Sequence, residues 1–162
     1  MDTEFPYNLP IWRSSRRAES PNKKYIAEID PAYEVSMGNP TYGTLKLSNG
    51  LSLPKCNPSF IWSDDSRYLA VPHYFTWCFL FRKQRMFIID VEEHRVYASN
   101  EHTWYFQPDS FSKGRLVAII NPSDHKPRKI EWLIAKDINK FKRFDVVWPE
   151  ESSNNTLKSD VG

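Results

Sequence analysis

The residues of this chain able to carry chemistry are four histidines, two cysteines and three groups of carboxylates. His73, His94, His102 and His125 share neither the i, i+4 helical spacing nor the Cys-x-x-Cys partnership of metal sites, so no metal is expected. His73 and Cys78 lie on one apolar run and invite a thiol–imidazole pair. Such a pair needs a thiolate, and burial in apolar surroundings raises a thiol pKa instead, so the pair is expected to be inert. There is no nucleophile elbow, phosphate loop or dinucleotide glycine pattern. With five glycines in the whole chain, a backbone cradle for phosphate is not expected either. No catalytic residue and no cofactor follow from these residues. A small hydrolase using His73 or His102 with a carboxylate is the enzymatic alternative.

The carboxylates are Asp64-Asp65, Asp90 with Glu92-Glu93, and Asp109. All fall in or beside predicted turns, where Asp and Ser side chains bond nearby backbone amides. Their second use is an acidic rim that docks a basic partner. The basic groups are Arg82-Lys83 with Arg85, Lys126 with Arg128-Lys129, and Lys140-Phe-Lys-Arg143 followed by Phe144. Base and aromatic alternate in the last of these, the pattern of an RNA-binding surface. Yet 22 basic against 20 acidic side chains leave a net charge of +2, which argues against a nucleic-acid partner. The run Tyr74-Phe-Thr-Trp-Cys-Phe-Leu-Phe81 is either a buried strand or an exposed aromatic patch. In the second case Tyr74 and Trp77 are partner-binding anchors.

The elements that must position these residues read as strands. Twelve prolines against five glycines favour rigid turns over long helices. Lys24 to Ile29 alternates, and Asp30-Pro31 is expected to end it. Tyr42 to Leu47 and Leu51 to Leu53 flank Asn49-Gly50, the signal of a type I′ hairpin. Ser59 to Trp62 and Arg67 to Val71 flank Ser63-Asp64-Asp65-Ser66. Arg85 to Val91 and Arg95 to Ser99 flank Glu92-Glu93-His94. Trp104 to Phe106, Arg115 to Ile120, Lys129 to Ile134 and Phe144 to Trp148 follow, with one helical turn within Ala135 to Phe141. The spacing predicts an all-β chain.

Residues 1–149 read as a single β domain. Residues 1–22 form an extended N-terminal segment in which Phe5, Tyr7, Leu9 and Ile11 alternate, while Arg13 to Arg17 reads as solvated. Residues 150–162 read as a flexible tail without periodicity. No apolar run approaches the roughly 20 residues of a membrane helix, and the N-terminus has no signal-peptide pattern. Cys56 and Cys78 are too few for a disulfide framework and read as reduced thiols of a cytoplasmic protein.

A repeat runs through the chain. Phe60-Ile-Trp-Ser-Asp-Asp-Ser-Arg-Tyr-Leu-Ala-Val71 resembles Tyr105-Phe-Gln-Pro-Asp-Ser-Phe-Ser-Lys-Gly-Arg-Leu-Val-Ala-Ile119 at an offset of about 47 residues. Each is an aromatic strand, an Asp/Ser turn and an apolar strand, which places Asp64-Asp65 and Asp109 in matching turns. Residues 42–120 thereby resemble the blades of a β-propeller of WD-repeat type, without that family's Gly-His and Trp-Asp signatures. At about 40–45 residues per blade the chain is too short for a closed ring. The resemblance implies an open, half-propeller-like array of antiparallel sheets, about 10–12 strands in all, whose open edge needs cover.

In size and lack of catalytic motifs the chain is similar to bacterial immunity proteins, which bind a cognate toxin and block its active site. The expectation is therefore a non-catalytic protein-binding module, an inhibitor of a toxin such as a basic nuclease. Its contact residues would be Asp64, Asp65, Glu92, Glu93, Asp109, Trp77 and Tyr74.

Overall fold

The computed structural model describes residues 10–149; the alternation at Phe5, Tyr7 and Leu9 and the tail from Glu150 lie outside them. The chain is all-β and its antiparallel sheets are open. Twelve strands are present among the described residues. They are β1 (Arg16–Glu19), β2 (Ile26–Glu34), β3 (Thr41–Leu47), β4 (Ser52–Cys56), β5 (Ile61–Trp62) and β6 (Tyr68–Trp77). There follow β7 (Phe81–Asp90), β8 (Arg95–Thr103), β9 (Phe106–Ser112), β10 (Arg115–Ile120), β11 (Arg128–Leu133) and β12 (Lys142–Phe144). A helical turn, α1 (Ile134–Asp137), runs into a 3-10 turn at Ile138–Lys140, where one turn is expected.

Hydrogen bonding groups the strands into antiparallel meanders. β1 to β4 form the first, and β5 to β8 the second, closed at its outer edge by β12. They meet at one register pair, Cys56 of β4 opposite His73 of β6. β9, β10 and β11 form a separate three-stranded sheet.

Period-two alternation explains why the second meander sits in the middle. On β6 and β7, Leu69, Val71, Phe87 and Ile89 face one way and share a core with Ile29, Leu45, Leu53 and Trp148. The intervening Ala70, Met86 and Ile88 face the other way and share a second core with Phe106, Leu116, Ala118 and Trp132. A strand buried on both faces cannot alternate apolar with polar, and these segments read as continuous apolar runs. Buried Asn57 holds the seam: its amide donates to Ile11 O (2.9 Å) and Thr41 O (2.8 Å), and its Oδ1 accepts from the Ser59 N–H (3.0 Å).

Several local expectations change. The strand at Ile26 does not end at Asp30-Pro31; a register shift between Ile29 and Ala32 lets it continue to Glu34. Ile11 sits buried in a 3-10 turn rather than an extended strand. Arg13 to Ser15 and Arg17 are exposed, as read, while Arg16 is half-buried; Arg16 and Arg17 begin β1 and pair with Ile29 and Glu28. The Asn49-Gly50 turn is not type I′, which needs positive φ at both residues; only Gly50 has it (φ +97°). The Gly50 N–H donates to Leu47 O at 2.9 Å, closing a turn whose left-handed residue is the glycine.

The segment expected to turn at Asp109-Ser110 instead continues as β9, and the reversal comes at Lys113-Gly114. Asp109 is the extra residue where the β9–β10 register shifts. The expected strand from Phe144 to Trp148 is confined to Lys142–Phe144, because Trp148 turns inward and fills the first core.

Candidate functional site at the β6–β7 hairpin end

β6 and β7 pair without interruption from Tyr68↔Asp90 to Trp77↔Phe81. The aromatic run therefore does not interrupt a blade; it prolongs the central hairpin. β8 accompanies β7 only as far as Gln84↔Thr103, so the last turns of the hairpin project as a two-stranded ribbon. Such ribbons are marginal without side-chain support. Here rings and cations supply it.

On one face Lys83 Nζ lies 4.3 Å from the Trp77 ring centre and 5.5 Å from that of Trp104. Phe81 meets Trp104 edge-on at 5.9 Å, and the His102 ring lies 5.8 Å from Phe75 and 6.0 Å from Trp77. Arg85 stacks its guanidinium 4.9 Å from Phe75 and 4.7 Å from Phe144. Each exposed cation–π contact contributes about 0.5–1 kcal/mol.

The opposite face carries Tyr74, Thr76, Arg82 and Gln84, and over it opens a cleft of about 480 Å³. Its walls come from the β2–β3 connection (Val35, Asn39), from Tyr42, and from Trp104-Tyr105 between β8 and β9. Buried Gln84 organises it. Its Nε2 donates to the Tyr42 hydroxyl at 2.7 Å, and its Oε1 accepts the Phe106 N–H at 2.6 Å. Burial pushes the Tyr42 phenol pKa up, so this hydroxyl stays protonated. The Tyr42 ring packs 4.4 Å from Tyr74. The Tyr105 hydroxyl donates to Asn39 Oδ1 at 2.7 Å and clamps the far wall. Arg82 reaches the Val35 carbonyl at 3.4 Å.

The hairpin tip is apolar and bare. Phe79 is 98% exposed, Leu80 82%, and Met37 on the adjacent connection 97%. Cys78 (φ +50°) and Phe79 (φ +63°) hold left-handed backbone, which costs a non-glycine residue about 1–2 kcal/mol. Conformations of this kind cluster at functional loops.

The seven expected contact residues do not form one surface. Asp64, Asp65, Glu92 and Glu93 stand at the other end of the β6–β7 hairpin from Trp77, roughly 30 Å away at about 3.3 Å per residue. Most carboxylates there are already engaged. Asp64 accepts the Lys113 N–H (3.0 Å), and Asp65 accepts the Ser63 hydroxyl (2.6 Å) and the Arg67 N–H (3.1 Å). Buried Asp90 takes both Arg67 Nη2 (2.8 Å) and Nε (3.1 Å), with the N–H groups of Glu92 and Glu93 on its other oxygen. Glu92 lies 3.8 Å from Arg67. Asp109, moved out of its expected turn, pairs with Lys129 at 3.3 Å. Glu93 is exposed. Tyr74 is half-buried and supports the cleft wall, whereas Trp77 reaches the surface.

The other expectations fare as follows. Cys78 is at the exposed tip, and Cys56, not Cys78, stands opposite His73. Burial raises the Cys56 pKa to about 12, and burial followed by Arg85 and Lys55 lowers that of His73 to about 3. A neutral thiol and a neutral imidazole result. His94, in the turn after β7, stacks on Trp148 at 4.4 Å. In the Lys140 to Phe144 segment, Phe141 packs on Trp132 and Phe144 on Phe87, so its rings point inward. Among the described residues no three His, Cys, Asp or Glu side chains gather as a metal site. No helix among them is long and apolar enough to cross a membrane.

Sequence reasoning missed Tyr42, Gln84, Asn39 and Trp104-Tyr105. Only Gln84 carries a signal: it is the polar residue in the alternation Gln84, Met86, Ile88. The others come from separate segments and meet only through the fold. No protein family, no curated protein and no solved structure matches this chain.

Proposed function

We propose that this chain is a non-catalytic binding module that seats a protein partner on the β6–β7 hairpin end. One observation carries the reading: exposed Trp77, Phe79, Leu80, Phe81 and Trp104 gather beside a ring-walled cleft containing Arg82. Trp, Tyr and Arg are the side chains that most often dominate binding energy, and contiguous exposed apolar surface marks interaction sites. The narrower reading is an immunity-type inhibitor. Its support is shape, since a projecting hairpin with an apolar tip can enter an active-site cleft. Three successive meanders sharing two cores also support an open half-propeller, with this hairpin at its rim. Cys56 and Cys78 are both free, which suits a reducing compartment such as the cytoplasm.

The test is affinity capture from the native host by the tagged chain, followed by mass spectrometry. The triple variant Trp77→Ala, Phe79→Ala, Trp104→Ala is expected to weaken retention of the captured partner at least about 100-fold, since hot-spot truncations cost about 2 kcal/mol or more. Reversal of Asp64, Asp65, Glu92, Glu93 and Asp109 is expected to leave it bound. The opposite pattern would return the binding role to the acidic turns.

A further inference from the structure

We infer that the segment seated at the hairpin end is acidic and aromatic: a ring fills the cleft and a carboxylate beside it meets Arg82, while Lys83 on the other face of the ribbon adds its charge. The inference rests on the proposal that this end binds protein, and it names the partner's chemistry.

The first ground is charge. Five ion pairs occur among the described residues, and none involves Arg82, Lys83, Arg85 or Lys55. These cations lie on rings or on a carbonyl instead: Lys83 on Trp77, Arg85 on Phe75, Lys55 5.4 Å from Tyr74, and Arg82 at Val35 O. The carboxylates near this end do not offset them. Glu101 accepts the Trp132 indole N–H at 3.1 Å and makes no ion pair with them, and Glu34 does not line the cleft. At the far end Asp90 and Arg67 neutralise each other. Cations without an ion-pair partner therefore collect at this end of the hairpin, with Arg82 in the cleft and Lys83 and Arg85 on the other face of the ribbon. Electrostatic complementarity of this kind selects partners by sign and speeds their encounter.

The second ground is shape. The cleft of about 480 Å³ is within the range that buries a small ligand or a large side chain. Tyr42, Phe81, Trp104 and Tyr105 give it aromatic walls, and Arg82 is the cation among its lining residues. An arginine fork matches a carboxylate with two parallel hydrogen bonds. The projecting tip of Phe79 and Leu80 has the shape of a lipid anchor, and the cleft with its cation inside is what favours a peptide over lipid. A nucleic-acid platform needs bare ring faces for stacking, and here Lys83 covers Trp77 and Trp104.

The test uses the full chain, isotope-labelled for amide NMR, and three acetylated pentapeptides. Each has a central Phe flanked by Glu, by Gln or by Lys. The Glu peptide is expected to shift the amides of Thr76 to Lys83 and to bind about tenfold more tightly than the Gln peptide at low salt. Added salt should shrink the gap, because exposed charges are screened. Arg82→Gln with Lys83→Gln should erase the preference, so that the variant binds the Glu and Gln peptides equally. Both positions are exposed or half-exposed, and an unchanged amide spectrum elsewhere shows that the variant folds. Equal binding of Glu and Gln peptides at the hairpin end overturns the acidic partner and leaves the binding surface standing. Shifts from none of the three peptides overturn both. Preferential binding of phosphatidylglycerol vesicles or of oligouridylate at the same amides overturns the inference in favour of lipid or RNA.

Discussion

His73 shows how context decides what a titratable residue does. On sequence it is a candidate base; in the fold it is a neutral ring stacked 4.1 Å from Phe87, with Nδ1 buried and unpartnered. Its pKa falls from 6.5 to about 3, first through burial and then through Arg85 and Lys55. Between those values the unfolded chain carries a proton that the folded chain does not, so stability rises with pH across that window and is lost as pH falls through it. The contribution is at most about 1.4 kcal/mol per pH unit. His73→Phe keeps the stacked ring and removes the titration. Urea unfolding of this variant is therefore expected to depend less on pH between about 3 and 6.5, with a flatter slope than the parent. An unchanged slope would mean that other groups set the acid sensitivity. The carboxylate turns behave as their residue types suggested: Asp65 and Asp90 bond local amides, because their side chains need only neighbours in sequence.

Among elements, hairpins were legible and their exact turns were not. Asn49-Gly50 announces a reversal, but which residue takes positive φ depends on what lies across the turn. A Cβ on Gly50 would stand 2.7 Å from Pro149 Cγ, whereas one on Gly114 (φ +71°) would meet nothing within 4 Å. Both replacements by alanine force left-handed backbone at about 1–2 kcal/mol. Gly50→Ala should lower Tm more than Gly114→Ala in calorimetry, the excess reporting the contact with Pro149. Equal losses would mean that the proline yields without cost. β9 was misread for a related reason. Pro108-Asp109-Ser110 carries turn residues, yet a register shift against β10 absorbs them and the strand continues.

For the molecule as a whole, Gln84 joins what the sequence separates. It lies on the central meander and bonds Tyr42 of the first meander and the backbone of Phe106 in the third. Gln84→Leu would leave a buried hydroxyl and a buried N–H unpaired, at about 1–3 kcal/mol for each group. Denaturant titration should show a loss of about 2–4 kcal/mol, with the largest gain in amide exchange at the cleft walls. A neutral outcome would show that water replaces the amide and that the layers do not depend on this link.

The alternation of apolar residues determined by itself that the chain is all-β, whereas the two buried faces of the strand through Leu69 to Val71 emerged only with the fold. Periodicity is a local property, so it survives without the fold. It also placed an aromatic run of interest at Tyr74 to Phe81. Which aromatic residues would be wall, tip or core was decided only in three dimensions. Tyr42, Arg82 and Tyr105 are far apart in sequence, and their meeting depends on the register of the β6–β7 hairpin and on how three meanders stack. The same stacking sent the acidic turns to the far end and gave their carboxylates to local partners, leaving cations without ion-pair partners at the hairpin end.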